Sequence, residues 1–353
     1  MQVRRTVVAT CLSAVLLMLS TTAQAQYQLK NLVSNQLGQA PTIDPLLANP
    51  WGLARSASGV WWVSDNDTGW STLYNATGTE ETLKVLTPTA GNGPTSPTGL
   101  NGPGTPTGIV FNGSKTDFQV QGQSASFIFA TLDGTISAWA PGLNANETTI
   151  AVDNSANKAS YTGLAITSNA SGNFLYAADN ANNHVDMFDG NYNLVKSFGD
   201  PAVPSTLSVF GIQDINGLVY VTYAVPNVGA GGYVDIFKED GTFVKTLIQG
   251  DRLNQAWGVA AAPPNFGPLS NTLLISNNSV DGTINAFDPV SGRFVGTIRD
   301  QHGKKIVLNN LWGIAFGGGT SSNGAQNELF VTVGQGIGTS ELAGTFARIV
   351  FQP

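Results

Sequence analysis

The stretches Pro50–Ala54 (PWGLA), Pro106–Val110 (PTGIV), Tyr161–Ala165 (YTGLA), Val209–Gln213 (VFGIQ), Ala256–Ala260 (AWGVA) and Leu311–Ala315 (LWGIA) share one pattern. Each is a Trp, Thr or Phe, then a glycine, then apolar residues. They recur about every 50 residues, the period of propeller blades. A run rich in β-branched and aromatic residues follows every one: Val60–Asn66 (VWWVSDN), Ser126–Asp133 (SFIFATLD), Asn173–Asn180 (NFLYAADN), Leu218–Val225 (LVYVTYAV), Thr272–Asn278 (TLLISNN) and Glu328–Gly334 (ELFVTVG). Next come alternating segments such as His184–Gly190 (HVDMFDG) and Tyr233–Gly241 (YVDIFKEDG), which end in the glycine that a tight hairpin requires. Short runs such as Leu194–Phe198 (LVKSF) and Phe243–Ile248 (FVKTLI) close the units.

Four short antiparallel strands per unit, six times over, predict an all-β, six-bladed β-propeller. The sixth unit stops one strand short, after TFARIVFQP. The missing strand lies at the other end of the chain, where Tyr27–Val33 (YQLKNLV) has the pattern of an outermost strand. The N-terminal strand is therefore expected to pair onto the last blade, closing the ring and removing its exposed edges.

Ahead of that strand, Arg4 and Arg5 precede the apolar run Val7–Leu19, which ends in Ala23-Gln24-Ala25. A basic start, a short apolar core and an A-x-A site read as a Sec signal peptide over residues 1–25, leaving 26–353 as a single propeller domain. The expected address is periplasmic or extracellular, with no membrane insertion after cleavage. The single cysteine, Cys11, falls within the leader, so a mature chain has neither a disulfide nor a thiolate nucleophile. Glycine is abundant (41 residues) and charged residues are sparse (11%), as in a glycine-turned β protein. Without Arg4 and Arg5 the basic residues fall from 16 to 14 against 23 acidic ones, a net charge of −9. That balance argues against nucleic acid and anionic membranes as partners.

The segment Asn173–Gly190, NFLYAADNANNHVDMFDG, resembles an NHL-type blade, in which an L-Y-V-A-D-x-N run is followed by I-x-V-F-D-x-x-G. Over nearly all of the mature length the chain resembles a family of uncharacterised exported bacterial propellers, some of which carry PEP-CTERM sorting tails. No such tail is present here, so release is the expected outcome. The resemblance implies a fold and an export route, and no particular chemistry.

Antiparallel order puts the starts of the first strands, the turns between second and third strands and the blade connections on one face. Loops on that face of a rigid frame are where ligands are expected. Trp51, Trp257 and Trp312 belong there, with Asn254 and Asn310 beside them. The three indoles suit stacking on a sugar or other flat ligand, or else simple packing between blades. Asp65, Asn66, Asp67, Asp179, Asn180, Asn277 and Asn278 are hard oxygen donors that suit Ca²⁺, with Asp65, Asn66, Asp179, Asn180 and Asn278 the leading set. The alternative is turn chemistry, because Asp and Asn side chains bond their own backbone. His302 and Arg252, in the connections entering blades six and five, are candidate catalytic groups, and His184 opens a third strand. The Pro/Gly/Thr-rich segment Thr87–Thr107 is a lid or a solvated linker.

No motif fixes a reaction. The residues before the repeated glycines are Trp51, Thr107, Thr162, Phe210, Trp257 and Trp312, and none is the carboxylate or amide a lactonase-type calcium site would place there. The primary expectation is an NHL-like scaffold that binds a small molecule, a glycan or a protein. The alternative is a Ca²⁺-dependent lactonase or esterase at the channel mouth. A carbohydrate lyase or hydrolase using the tryptophans and His302 is the third reading.

Overall fold

The computed structural model describes residues 26–90, 103–225, 229–250, 252–334 and 343–353. Residues 1–25, expected to be a leader, and most of the Thr87–Thr107 loop, residues 91–102, lie outside them. Alternating and fully apolar runs become strands where predicted, and the sheets are six blades arranged in sequence order plus a two-stranded ribbon, Gln119–Val120 with Gln123–Ser124. Blade three shows the unit: Tyr161–Asn169, Gly172–Asp179, His184–Phe188 and Leu194–Phe198, hydrogen-bonded in that order from the axis outward. Second strands such as Trp61–Asp65 and Leu273–Asn277 are buried at every position, as expected for the middle of a stacked blade. Blade one departs from its pattern. Its outer strand is only Val85–Leu86; the chain bends at Thr82 before it, and Lys84 Nζ meets Glu80 Oε1 at 2.6 Å.

The ring closes as the sequence predicts. Gln26–Ser34 runs antiparallel to Thr345–Gln352, from the pair Gln26/Gln352 to Ser34/Thr345, with a bulge between Asn31 and Val33. One addition has no signal in the sequence: Thr42–Ile43 pairs parallel to Val33–Ser34 as a fifth strand. Just beyond it, Asp44 accepts a 2.8 Å hydrogen bond from the Tyr74 hydroxyl, so the N-terminal segment ties blade six to blade one. Trp61 Nε1, in blade one, donates to the Asn323 carbonyl of blade six at 3.1 Å and tightens the same seam.

The repeated glycine is explained at the inner strands, which pack edge to edge around the axis. A Cβ on Gly211 would stand 2.0 Å from the Trp257 carbonyl oxygen, and one on Gly108 would stand 2.2 Å from Leu164 N. Nothing larger than glycine lets neighbouring blades approach this closely. Hydroxyl groups then bridge five of the six gaps, all but that between blades one and two. Thr107 donates to the Tyr161 carbonyl (2.7 Å), Thr162 to Phe210 (2.7 Å), Thr222 to Ala256 (2.6 Å), Ser276 to Trp312 (2.6 Å) and Thr332 to Trp51 (2.5 Å). Among the described residues no helix is long and apolar enough to cross a membrane.

Candidate ligand-binding mouth

The six residues preceding the repeated glycines occupy equivalent places on the inner strands, and four are aromatic. Trp51, Trp257 and Trp312 form one buried cluster, with Phe210 and Leu132 packed against it. Trp51 and Trp312 stack at 3.6 Å between ring centroids and 17° between planes, and Trp257 stands edge-on to both. The tryptophans thus meet one another at the axis and do not wedge separately between blades. The two remaining slots hold buried threonines, Thr107 and Thr162. Bulk on one side of the axis and small hydroxyls on the other leave a pocket of about 210 Å³, lined by Trp51, Leu132, Ser160, Thr162, Asn180 and Phe210, with Ala224, Val225 and Gln255 completing it.

The polar groups of this pocket and of the indole cluster beside it divide into those with partners and those without. Trp257 Nε1 donates to the Thr162 carbonyl at 2.9 Å, and Trp312 Nε1 to Asn49 Oδ1 at 3.2 Å. Trp51 Nε1 is buried with no partner among the described residues. An N–H in that condition costs about 1–3 kcal/mol unless a ligand or solvent oxygen accepts it. The Ser160 hydroxyl and the Gln255 amide also have no hydrogen bond among the described residues. Gln255 holds a left-handed backbone (φ 52°), as do Asn49 (45°) and Asn310 (51°) at the equivalent approaches to blades one and six. Asparagine tolerates that region and glutamine much less readily, so Gln255 is held at the rim against its preference.

The pairs Asp65-Asn66, Asp179-Asn180 and Asn277-Asn278, expected as calcium ligands, sit in alternate blades, each with local work. Asn66 Nδ2 donates to the Pro106 carbonyl of blade two at 3.1 Å and Asn180 Nδ2 to Val209 of blade four at 2.6 Å; Asn278 reaches Leu311 of blade six at 3.4 Å. Each amide clips its blade to the next. The preceding residues close their own turns: Asp65 Oδ2 accepts the Thr72 N–H (3.1 Å), and Asp179 Oδ1 accepts the N–H groups of Ser160 (3.0 Å) and Asn182 (3.2 Å). Burial pushes the Asp65 carboxyl well above the ordinary range, which favours its neutral form. This is the turn chemistry that the sequence offered as the alternative to metal binding.

One grouping among the described residues has three ligand-type atoms within 4.8 Å of one another: Asp179, His184 and Asp186. An imidazole in the set does not suit Ca²⁺, which takes oxygen ligands. The lone pairs are also engaged. Asp186 accepts from the Tyr161 hydroxyl at 2.8 Å, the Ser197 hydroxyl at 2.5 Å and His184 Nε2 at 3.1 Å. Asn182 Nδ2 donates to Asp179 Oδ2 at 2.7 Å. The hydrogen bond to Asp186 raises the His184 pKa despite partial burial. Asp186 is one case of a repeated device: Ser137, Asp186, Asp235 and Asn285 hold equivalent places on third strands, opposite Phe129, Ala177, Val221 and Ile275. They face a hydroxyl on or just before the fourth strand, as in Ser137 with Thr148 (3.0 Å) and Asn285 with Thr297 (2.7 Å).

The remaining candidates are dispersed. His302 lies on an exposed turn, its N–H donating to Asp300 Oδ1 at 2.8 Å and its ring beside Gln301. Asn310 is committed through its backbone, donating to Ser279 and accepting from Gly334. Arg252 and Asn254 line a separate polar pocket away from the indoles. Sequence reasoning did not single out Phe210, Thr162, Ser160 and Gln255 as ligand contacts. For the first two, the signal was their place in the Trp51 slot of the repeat; for the other two there was none.

No protein-family model matches the chain. The uncharacterised protein R648 of Acanthamoeba polyphaga mimivirus is 31% identical over 314 residues, spanning 83% of this chain and 74% of the relative. Mimivirus protein L690 is 28% identical over 315 residues, spanning 83% and 79%. These relatives are viral, not the exported bacterial proteins that the chain as a whole was expected to resemble. Among solved structures, a putative gluconolactonase superposes with a TM-score of 0.56 at 11% identity, covering 93% of both chains. Virginiamycin B lyase of Staphylococcus aureus, in an inactive His-to-Ala form with quinupristin, superposes with a TM-score of 0.53 at 11% identity, covering 93% and 99%. At these identities the likeness extends to the propeller fold alone.

Proposed function

Since this chain belongs to the family of mimivirus protein R648, which it matches at 31% identity over 83% of its length, we propose that its propeller is a binding module and that the axial mouth is its ligand site. The ligand suited to that mouth is a neutral, hydroxyl-bearing ring, such as a sugar unit of a glycan. One observation carries the reading: Trp51, whose Nε1 is buried and unpartnered, lines a pocket that also offers an aromatic face (Phe210), a hydroxyl (Ser160) and an amide (Gln255). Small-ligand sites combine apolar walls with a few such polar groups. The described lining carries no carboxylate, imidazole or guanidinium, which favours binding over lactone or ester hydrolysis. Export through the 1–25 leader belongs to the same proposal and would bring the mouth into contact with glycans outside the cell.

The test is a glycan array followed by calorimetry on the best neutral hit, with Trp51→Phe as the informative variant. It removes the N–H and keeps most of the ring, so binding should weaken about ten-fold, the worth of one hydrogen bond. Phe210→Ala should weaken it further. Affinity unchanged in both variants, or an array with no neutral hit, overturns the assignment.

A further inference from the structure

A second pocket of about 250 Å³ lies on the same face and shares none of the axial pocket's lining residues. It is built from the connection entering blade five, the turn between that blade's second and third strands, and the connection entering blade six. Nine of its ten lining residues are polar or charged, Ala230 being the exception. The axial mouth is aromatic and uncharged, so the two pockets select different chemistry.

Arg252 and Lys305 supply two cations, and neither forms an ion pair among the described residues. Arg252 is held at both ends. Its carbonyl accepts a 2.7 Å hydrogen bond from Asn285 Nδ2, while Asn285 Oδ1 accepts from Thr297 Oγ1 at 2.7 Å. Its guanidinium carbon stands 4.6 Å from the centroid of Phe294, within cation–π range. The repeated polar pair of the outer strands, elsewhere a link between strands three and four, here also fixes the backbone of a surface arginine. A guanidinium held this way loses less freedom on gripping a carboxylate or phosphate than a free surface side chain would.

The neutral groups are set for hydroxyls. Asn254 Oδ1 is buried without a partner, although the Asn254 N–H is fixed by Asn277 Oδ1 at 2.8 Å. Thr283 adds a hydroxyl to the wall. Asp281 is the one carboxylate of the lining, and its Oδ1 accepts from the Ser279 hydroxyl at 3.1 Å, so the described lining keeps an excess of one positive charge. This local excess sits on a protein of net charge −7.

We infer that this pocket is a second binding site, for a small hydroxylated anion: the carboxylate of a sugar acid or the phosphate of a sugar phosphate. The volume is below the ~300 Å³ at which drug-sized pockets begin, and so limits the occupant to about one sugar unit. Arg252 and Lys305 grip the anion, and Asn254 Oδ1 accepts from a ligand hydroxyl. The inference does not depend on the axial site.

Calorimetry with D-gluconate, glucose 6-phosphate and neutral glucose on the full chain tests it. Either anion should bind measurably and glucose should not; which anion binds tells the carboxylate from the phosphate source. Arg252→Gln and Lys305→Gln should each weaken the bound anion about ten-fold, and Asp281→Asn should tighten it about three-fold, by removing a like charge. Trp51→Phe should leave anion binding unchanged, which separates this site from the mouth. Silence of both anions at roughly 10 mM, far above a useful dissociation constant, overturns the inference. So does equal binding of glucose, or binding indifferent to both cation variants.

Discussion

Gly211→Ala is the sharpest test of how the ring is held together. Gly211 lies on the inner strand Ser208–Ile215, and an added methyl would stand 2.0 Å from the Trp257 carbonyl oxygen and 2.7 Å from its carbon. Ordinary contact begins at 3.4 Å, so the inner strands of blades four and five would have to part by 1.4 Å. The obstructing atoms are backbone and cannot rotate away. The neighbouring Gly211 N–H to Thr222 Oγ1 bond (2.8 Å) and the Thr222 to Ala256 carbonyl bond (2.6 Å) resist the same movement. Overpacking of this kind costs about 3 kcal/mol, offset by ~0.5 kcal/mol from the stiffer unfolded chain. With an unfolding entropy of ~2.1 cal/mol/K per residue over roughly 330 residues, the remaining ~2.5 kcal/mol lowers the melting temperature by ~4 °C. The control is Gly113→Ala, an exposed position where the nearest atom, Phe111 Cε1, is 3.8 Å from the new methyl. Scanning calorimetry of the three proteins decides the matter. If Gly211→Ala melts within ~1 °C of wild type, or Gly113→Ala loses as much, close approach is not what the repeated glycine supplies.

Two pH-dependent predictions concern the third-strand carboxylates. The His184 pKa is raised by its hydrogen bond to Asp186, so the stability it contributes is present below the ordinary histidine value of 6.5 and lost as pH rises through the raised one. Burial opposes ionisation of Asp186, but hydrogen bonds from His184, Ser197 and Tyr161 outweigh it and lower its pKa. The melting-temperature gap between wild type and Asp186→Asn should therefore be wider near pH 6 than near pH 9; a constant gap refutes the pairing. Burial, with a contribution from the Asp200 carboxyl, pushes Asp235 up to about 6. Between about pH 4 and pH 6 the folded state keeps a proton that the unfolded chain has released, so stability falls as pH rises across that window. Asp235→Asn should melt above wild type at pH 7 and level with it near pH 4; the opposite order at pH 7 would show that the ionised carboxylate supports the fold.

The sequence alone determined the propeller, the number of blades and the closure by Tyr27–Val33, because each rests on a repeat and on strand periodicity, which are local properties of the chain. It also placed Trp51, Trp257 and Trp312 at equivalent points of the repeat. Tertiary structure decided what those points meant. Only the convergence of inner strands on one axis shows that four aromatic slots and two threonine slots make a lopsided plug with a pocket beside it. Likewise Asp65, Asn66, Asp179, Asn180 and Asn278 suit either ion binding or turn chemistry as residue types, and only the partners of each amide and carboxylate decide between them. Those partners lie 29 to 40 residues away for the asparagines, in the next blade. Arg252 and Lys305 are 53 positions apart, and only the stacking of blades five and six brings them to one pocket. Periodicity is written in the spacing of neighbouring residues, whereas a site depends on which side chains a closed ring turns toward the same space, and the chain's local pattern does not carry that information.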